Sequence, residues 1–175
     1  MTVSKRAFLI WWVAGLLAFA IAIVLHLPLA VEGVPGGIGD HQSAPDAATV
    51  DGIHEAWRRA GVYSQARWAM IADLIFIGIY GVGCVLGGLH FRQLGSPFVR
   101  ALGWVALAGG ATFLVTDYAE TIAQFVQLTN GTGDDSLARL VSTGRPIKIA
   151  SFIAAFMAIT TALILARLSY RRRSA

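Results

Sequence analysis

Four apolar segments dominate the sequence, at residues 8–31, 68–91, 101–128 and 147–168. Each is long enough to cross the hydrocarbon core of a bilayer, which takes about 20 helical residues. Hydrophobic residues make up 56% of the chain and charged residues only 14%, a balance that excludes an ordinary soluble domain. We therefore predict an all-α membrane protein: a single domain, residues 1–175, folded as a bundle of four transmembrane helices.

The connection between the first two segments, residues 32–67, divides into two parts. Its first part, "EGVPGGIGDHQSAPD", is rich in glycine and proline and is typical of a loop. Asp46 then provides an N-cap for an amphipathic helix on which Val50, Ile53 and Trp57 share one face. Two interpretations stay open: a helix anchored in the outer membrane interface by Trp57, or a lid over the mouth of the bundle. Farther along, Pro146 is expected to begin the last helix.

The distribution of basic residues predicts the orientation. With both chain termini and the loop at 92–100 in the cytoplasm, the inner side collects a set of basic residues with no acidic one among them: Lys5, Arg6, Arg92, Arg100, Arg167, Arg171, Arg172 and Arg173. The connections on the other side carry mixed charges. The basic pI of 9.7 thus indicates contact with anionic lipid, and no nucleic-acid partner is predicted.

Polar residues interrupt the third apolar segment at "TDYAETIAQFVQ". Spacings of three and four residues put Asp117, Glu120, Gln124 and Gln127 on one helical face, which must turn away from lipid. Every other segment also contributes a polar group near the same depth in the outer leaflet. We therefore predict one polar cluster that binds a ligand or holds the bundle together: His26, Asp73, Tyr80, Asp117, Glu120, Gln124, Arg145 and Lys148.

The two acids of the third segment are expected to differ. Asp117 is the acid farthest from the outer surface and has no obvious basic residue at its own depth, so we expect it to be neutral. Glu120 lies one turn closer to Lys148 and Arg145 and is expected to be ionised.

No metal site and no cofactor are predicted. The outer connection contains residue types that bind divalent ions, at Asp40, His41, Asp51, His54 and Glu55. However, "HEAW" lacks the second histidine of H-E-x-x-H, and no spacing here is typical of a set of metal ligands. These side chains are expected to be solvated.

Three short motifs resemble the polar signature of small bacterial four-span membrane proteins: "ADLIFIGIY", "TDYAET" and "RPIK". The resemblance implies the four-helix architecture and directs attention to Asp73, Tyr80, Asp117, Glu120 and Lys148, but it implies no reaction. Taken with the orientation above, the expected location is the bacterial inner membrane.

Three functions are compatible with these features. The first is an outward-facing intramembrane pocket that binds a small polar or amphipathic ligand, such as a lipid head group or a metabolite. The second is an accessory subunit of a larger membrane complex, or a homo-oligomer, in which the charges are structural ion pairs. The third is an enzyme that uses Asp117 or Glu120 as an acid or base on a membrane-borne substrate. An apolar inner half makes transport across the whole membrane the least favoured function.

Overall fold

The fold is known from a computed structural model that describes residues 3–94 and 96–173. The predicted domain 1–175 also includes Met1, Thr2, Gly95, Ser174 and Ala175, which lie outside the described residues, as do the side chains at 169–173. The helices are α1 (Lys5–His26), α2 (Ile38–His41), α3 (Ala47–Arg59), α4 (Tyr63–Phe91), α5 (Pro97–Asn130) and α6 (Asp135–Arg173). A short 3₁₀ helix, Leu27–Leu29, extends α1.

Four of these helices, α1, α4, α5 and α6, are long and apolar enough to cross a membrane. The prediction of an all-α bundle with four such helices is confirmed, and the described residues include no β-strand. The helices are longer than the apolar segments at several ends. For example, α5 spans Pro97–Asn130, whereas the apolar segment was placed at 101–128. The additional turns project toward the polar connections.

The last helix begins earlier than expected. We expected Pro146 to start it, but α6 already begins at Asp135 and Pro146 lies inside it. Asp134 accepts a hydrogen bond from the Leu137 N–H at 2.9 Å and so satisfies a free donor in the first turn. Ala138 and Val141 are buried, which stabilises the turns that precede the proline.

The long helices follow one another around the bundle in chain order. α1 packs along α4, α4 along α5 and α5 along α6, whereas the backbones of α1 and α6 do not approach comparably closely. At Gly83 of α4 an added Cβ would lie 2.7 Å from the Trp12 Cα of α1, so only glycine permits this approach. The seam between α1 and α6 is instead bridged by side chains such as Trp12 and Phe156, whose ring centroids are 5.8 Å apart.

The connection from α1 to α4 and the turn from α5 to α6 lie at the same end of the bundle, which we call the cap end. There α2 and α3 form a second apolar cluster around Trp57, separate from the core between the long helices. As predicted, Asp46 caps α3 and accepts from the Thr49 N–H at 2.8 Å. Two other hydrogen bonds tie α3 to the α5–α6 turn and to the start of α6: the Gly133 N–H donates to Asp51, and the Ala47 N–H donates to Asp135.

Trp57 is completely buried within this cap, and its indole N–H donates to the Leu29 carbonyl at 2.9 Å. An anchor in the membrane interface would expose the ring to lipid head groups. The anchor interpretation of this helix is therefore wrong, because the apolar face of α3 packs on protein.

Candidate functional site

A buried ion triad joins α5 to α6. The Lys148 ammonium lies 2.5 Å from the Glu120 carboxylate and 3.1 Å from that of Asp117. Glu120 and Asp117 are one turn apart on α5, so a single side chain from α6 reaches both. All three residues are buried. The expectation that Asp117 has no basic neighbour is thus wrong, because Lys148 extends along α5 to its depth, and the expected difference between the two acids loses its basis.

A second polar pair joins α1 to α4. The His26 Nε2 lies 2.7 Å from an Asp73 carboxylate oxygen, and both side chains are largely buried. His26 is the last residue of α1, while Asp73 lies about three turns into α4. The predicted polar layer is therefore present, but as two separate pairings rather than one cluster.

Between these pairs lies a cavity of about 610 Å³ at the cap end. Asp73 and Asp117 form its back wall, with His26 on one side and Lys148 on the other. Its size falls within the range of small-molecule pockets in proteins, roughly 300–1,000 Å³. The cavity thus brings both ion pairs to a single space large enough for a ligand.

Phenylalanine rings form the floor of this cavity, one from each long helix: Phe19, Phe76, Phe113 and Phe152. Neighbouring ring centroids are 5.0 Å apart for Phe19 and Phe76, and 5.7 Å apart for Phe113 and Phe152. Tyr80 lies below the floor, where its hydroxyl donates to the Phe152 carbonyl and its ring packs on the Phe152 ring. These rings close the bundle below the cavity.

The roof is the chain between α1 and α3. Ala30, Gly36, Gly37, Ile38 and Gln42 line it. Gly37 has a φ of 56°, in the region that favours glycine, and this turn brings the chain back over the end of α1. The structural lid over the bundle is therefore this segment with α2, and α3 does not line the cavity.

One side of the cavity faces the surroundings between α1 and α6. Ile23 on α1, Leu27 at the start of the 3₁₀ helix, and Ile149 and Ile153 on α6 line the cavity and are also exposed on the outside of the bundle. Since α1 and α6 do not pack closely along their backbones, these apolar side chains border a lateral cleft. In a membrane this cleft would face lipid chains.

The cap contains a buried histidine pair that the sequence did not indicate. The Gln124 amide nitrogen lies 2.8 Å from His41 Nδ1, and His41 Nε2 lies 3.1 Å from His54 Nε2. With Gln124 donating, neutral His41 carries its proton on Nε2 and donates to His54. The expectation that these histidines are solvated is wrong, because α2 and α3 fold over them and leave both almost completely buried.

Burial also keeps this pair neutral. Desolvation, followed by the proximity of His54, lowers the pKa of His41 to about 3. For His54, desolvation and then the positive charge of Arg58 lower the pKa to about 4, against a smaller opposing effect of Asp51. The pair is consequently a neutral hydrogen-bonded link between the cap and α5 at physiological pH.

The predicted site residues thus occupy three places. The cavity is lined by His26, Asp73, Asp117 and Lys148. Glu120 contacts Lys148 but does not itself line the cavity. Tyr80 supports the floor, while Gln124 binds the cap through His41. Arg145 donates to the Ser43 hydroxyl at the partly exposed edge of the cap.

The aromatic floor was missed, although the sequence carries a signal for it. Phe76 follows Asp73 by three residues and Phe152 follows Lys148 by four, while Phe113 precedes Asp117 by four. Each ring therefore lies about one turn farther from the cap, on the same helical face as a polar residue. His41 and His54 carry no comparable signal, because nothing in a polar loop indicates which of its residues become buried.

Among the described residues, no group of three or more His, Cys, Asp or Glu side chains is placed to hold a metal ion. Comparisons of the chain with protein-family models, curated proteins and solved structures give no match.

Proposed function

We propose that this protein binds a small amphipathic molecule, drawn from the bilayer, in the cavity beneath its cap. The observation that carries the proposal is the cavity of about 610 Å³ that reaches the Asp117–Lys148 ion pair. A purely structural ion pair would be expected to pack without such a space, because a void loses the contacts of the atoms that line it.

The lining of the cavity supports an amphipathic ligand over a purely polar one. Its ionisable groups lie at the back and sides, and phenylalanine rings form its floor. The cleft between α1 and α6 provides a route from the lipid without passage through the cap. A ligand with a polar end and an apolar chain would match both environments.

The proposal includes location and orientation. We place the protein in the bacterial inner membrane with both termini in the cytoplasm, because the basic residues collect at the end opposite the cap. The cavity then opens toward the outer leaflet.

A second candidate is supported by the Glu120–Lys148 contact. Paired buried charges also hold helices together, so the triad suits an accessory subunit whose charges are structural. In that case the protein would retain a stoichiometric protein partner, and blocking the cavity would not reduce the amount of bound partner.

A cavity-filling substitution separates the two candidates. Ile149→Trp places a large ring at the cavity wall, while Ile147→Trp adds the same ring to an exposed position on α6 that does not line the cavity. Native mass spectrometry of each variant, released from lipid nanodiscs, would measure bound amphiphile. We expect Ile149→Trp to lose a bound species that the original protein and Ile147→Trp retain. Equal retention by both variants would contradict the proposal.

A further inference from the structure

The charges around the cavity do not balance. Lys148 carries one positive charge but contacts two carboxylates, those of Glu120 and Asp117. Asp73 contributes a third carboxylate, and its one ion-pair partner among the described residues is His26. Even when His26 is protonated, three carboxylates are matched by two cations. Within a low-dielectric layer an unmatched charge is costly, so a proton or a bound cation must balance it.

Nearby basic groups do not remove this imbalance. Arg145 lies one turn before Lys148 on α6, but its guanidinium donates to the Ser43 hydroxyl and it does not line the cavity. Its charge acts on Glu120 from a distance, but among the described residues it forms no ion pair with any of the three carboxylates, and solvent at the partly exposed cap weakens its effect. Gln42, in the roof, is uncharged. Among the described residues, Lys148 and His26 are thus the cationic or potentially cationic groups that face the space.

The floor has the chemistry that recognises organic cations. Four phenylalanine rings lie together there, and the negative faces of such rings attract ammonium groups. Carboxylates above and aromatic rings below would surround a positively charged group and replace the water molecules that it loses on binding. A phosphate or carboxylate ligand would meet Asp73 and Asp117 and be repelled.

We infer that the cavity takes an amphipathic organic cation, with its ammonium group between the Asp73 and Asp117 carboxylates and the phenylalanine floor, and its apolar chain in the α1–α6 cleft. This inference rests on the proposed function, since it names the class of ligand for the same cavity. It assigns the missing positive charge to the ligand instead of to a proton.

Three probes with twelve-carbon chains test the inference: dodecyltrimethylammonium, the uncharged triethylene glycol monododecyl ether and anionic dodecanoate. Their equilibrium binding would be measured below their critical micelle concentrations, with protein in nanodiscs of zwitterionic lipid and empty nanodiscs as the blank. We expect the ammonium probe to bind about tenfold or more tightly than either of the others, because one unmatched carboxylate attracts it and repels dodecanoate.

Substitutions that neutralise one carboxylate at a time identify which carboxylate attracts the ammonium probe. Asp117→Asn should weaken binding of the ammonium probe about tenfold and leave binding of the uncharged ether nearly unchanged, since the side-chain shape is kept. Asp73→Asn provides a second variant should the first not fold. Glu55→Gln is the matched control, because Glu55 is an exposed acid of α3 that does not line the cavity.

The outcomes distinguish the inference from the proposed function. If no probe binds beyond the blank, both fail. If the uncharged ether or dodecanoate binds as tightly as the ammonium probe, and Ile149→Trp abolishes that binding, the proposed function stands and the inference is overturned. A proton is then the balancing charge.

Discussion

At the scale of single residues, Lys148 has the greatest electrostatic influence on the site. It is the shared partner of two buried carboxylates on α5, and the second oxygen of Glu120 is buried without a hydrogen-bond partner among the described residues. Removing Lys148 would leave two negative charges about one helical turn apart with no counter-charge. Removing either acid alone leaves Lys148 paired with the carboxylate of the other acid.

We therefore predict that Lys148→Met costs more stability than Glu120→Gln. The first change leaves buried unpaired charge, at about 3–5 kcal/mol, and the second removes one charged hydrogen bond, at about 1–3 kcal/mol. Unfolding of the purified variants in a mild detergent would measure both. Combining Lys148→Met with Glu120→Gln should recover part of the loss. If Glu120→Gln proves the more damaging, the triad does not depend on Lys148 as described.

At the scale of elements, the cap is held to the bundle by specific hydrogen bonds as well as by apolar packing. Trp57 binds Leu29, and the histidine pair links α2 and α3 to Gln124 of α5. Because the roof of the cavity belongs to this segment, the stability of the closed cap determines how enclosed the cavity is. The histidines make that stability dependent on pH.

The cap should loosen in acid. In an opened cap the histidines take up protons below about pH 6.5, whereas in the closed cap His41 and His54 have pKa values of about 3 and 4. The stabilisation is thus complete above pH 6.5 and falls as the pH drops, down to about pH 4 for His54 and about pH 3 for His41. Each histidine can contribute up to about 1.4 kcal/mol per pH unit.

Hydrogen–deuterium exchange of α2 and α3, corrected for the intrinsic effect of pH, would measure this loosening. Faster exchange is expected at pH 5 than at pH 7, with the core of α4 little affected. His54→Gln removes one of the two titrating groups and should reduce the pH effect by about half. Exchange of the cap that is the same at both pH values would show that the pair does not titrate on opening.

At the scale of the whole molecule, the bundle is closed along three helix pairs and left partly open along the fourth. Below the phenylalanine floor the long helices pack around an apolar core, whereas the layer above the floor is polar. The cavity therefore lies at the cap end of the bundle. The orientation of the chain therefore determines which leaflet the cavity can exchange with.

We predict that the cap faces outward. Thr132→Cys, in the exposed α5–α6 turn, should react with a membrane-impermeant maleimide in intact cells. Ser96→Cys, exposed at the opposite end, should react only after lysis. The native Cys84 is fully buried and should contribute little background. Labelling of position 96 but not 132 in intact cells would reverse the orientation and place the cavity in the inner leaflet.

Much of the architecture can be predicted from the sequence, because a bilayer imposes simple requirements on the helices that cross it. Helices that cross it need about 20 apolar residues, and ionisable groups inside it must face one another. The four helices follow from the first requirement. The second, with helical spacing, predicted that Asp117 and Glu120 face inward and that Lys148 lies near the depth of Glu120. The structure pairs Lys148 with both acids, although Asp117 was expected to have no basic neighbour.

Only the tertiary structure decided how the helices close and what the cap buries. Helical spacing puts Phe76, Phe113 and Phe152 on the polar faces of their helices, but that these rings and Phe19 form one floor depended on the packing of four helices. The weak α1–α6 seam, the burial of His41 and His54, and the passage of α6 through Pro146 likewise arise from contacts between segments distant in the chain. Local sequence patterns record which face of a helix is polar, whereas the fold determines what that face meets.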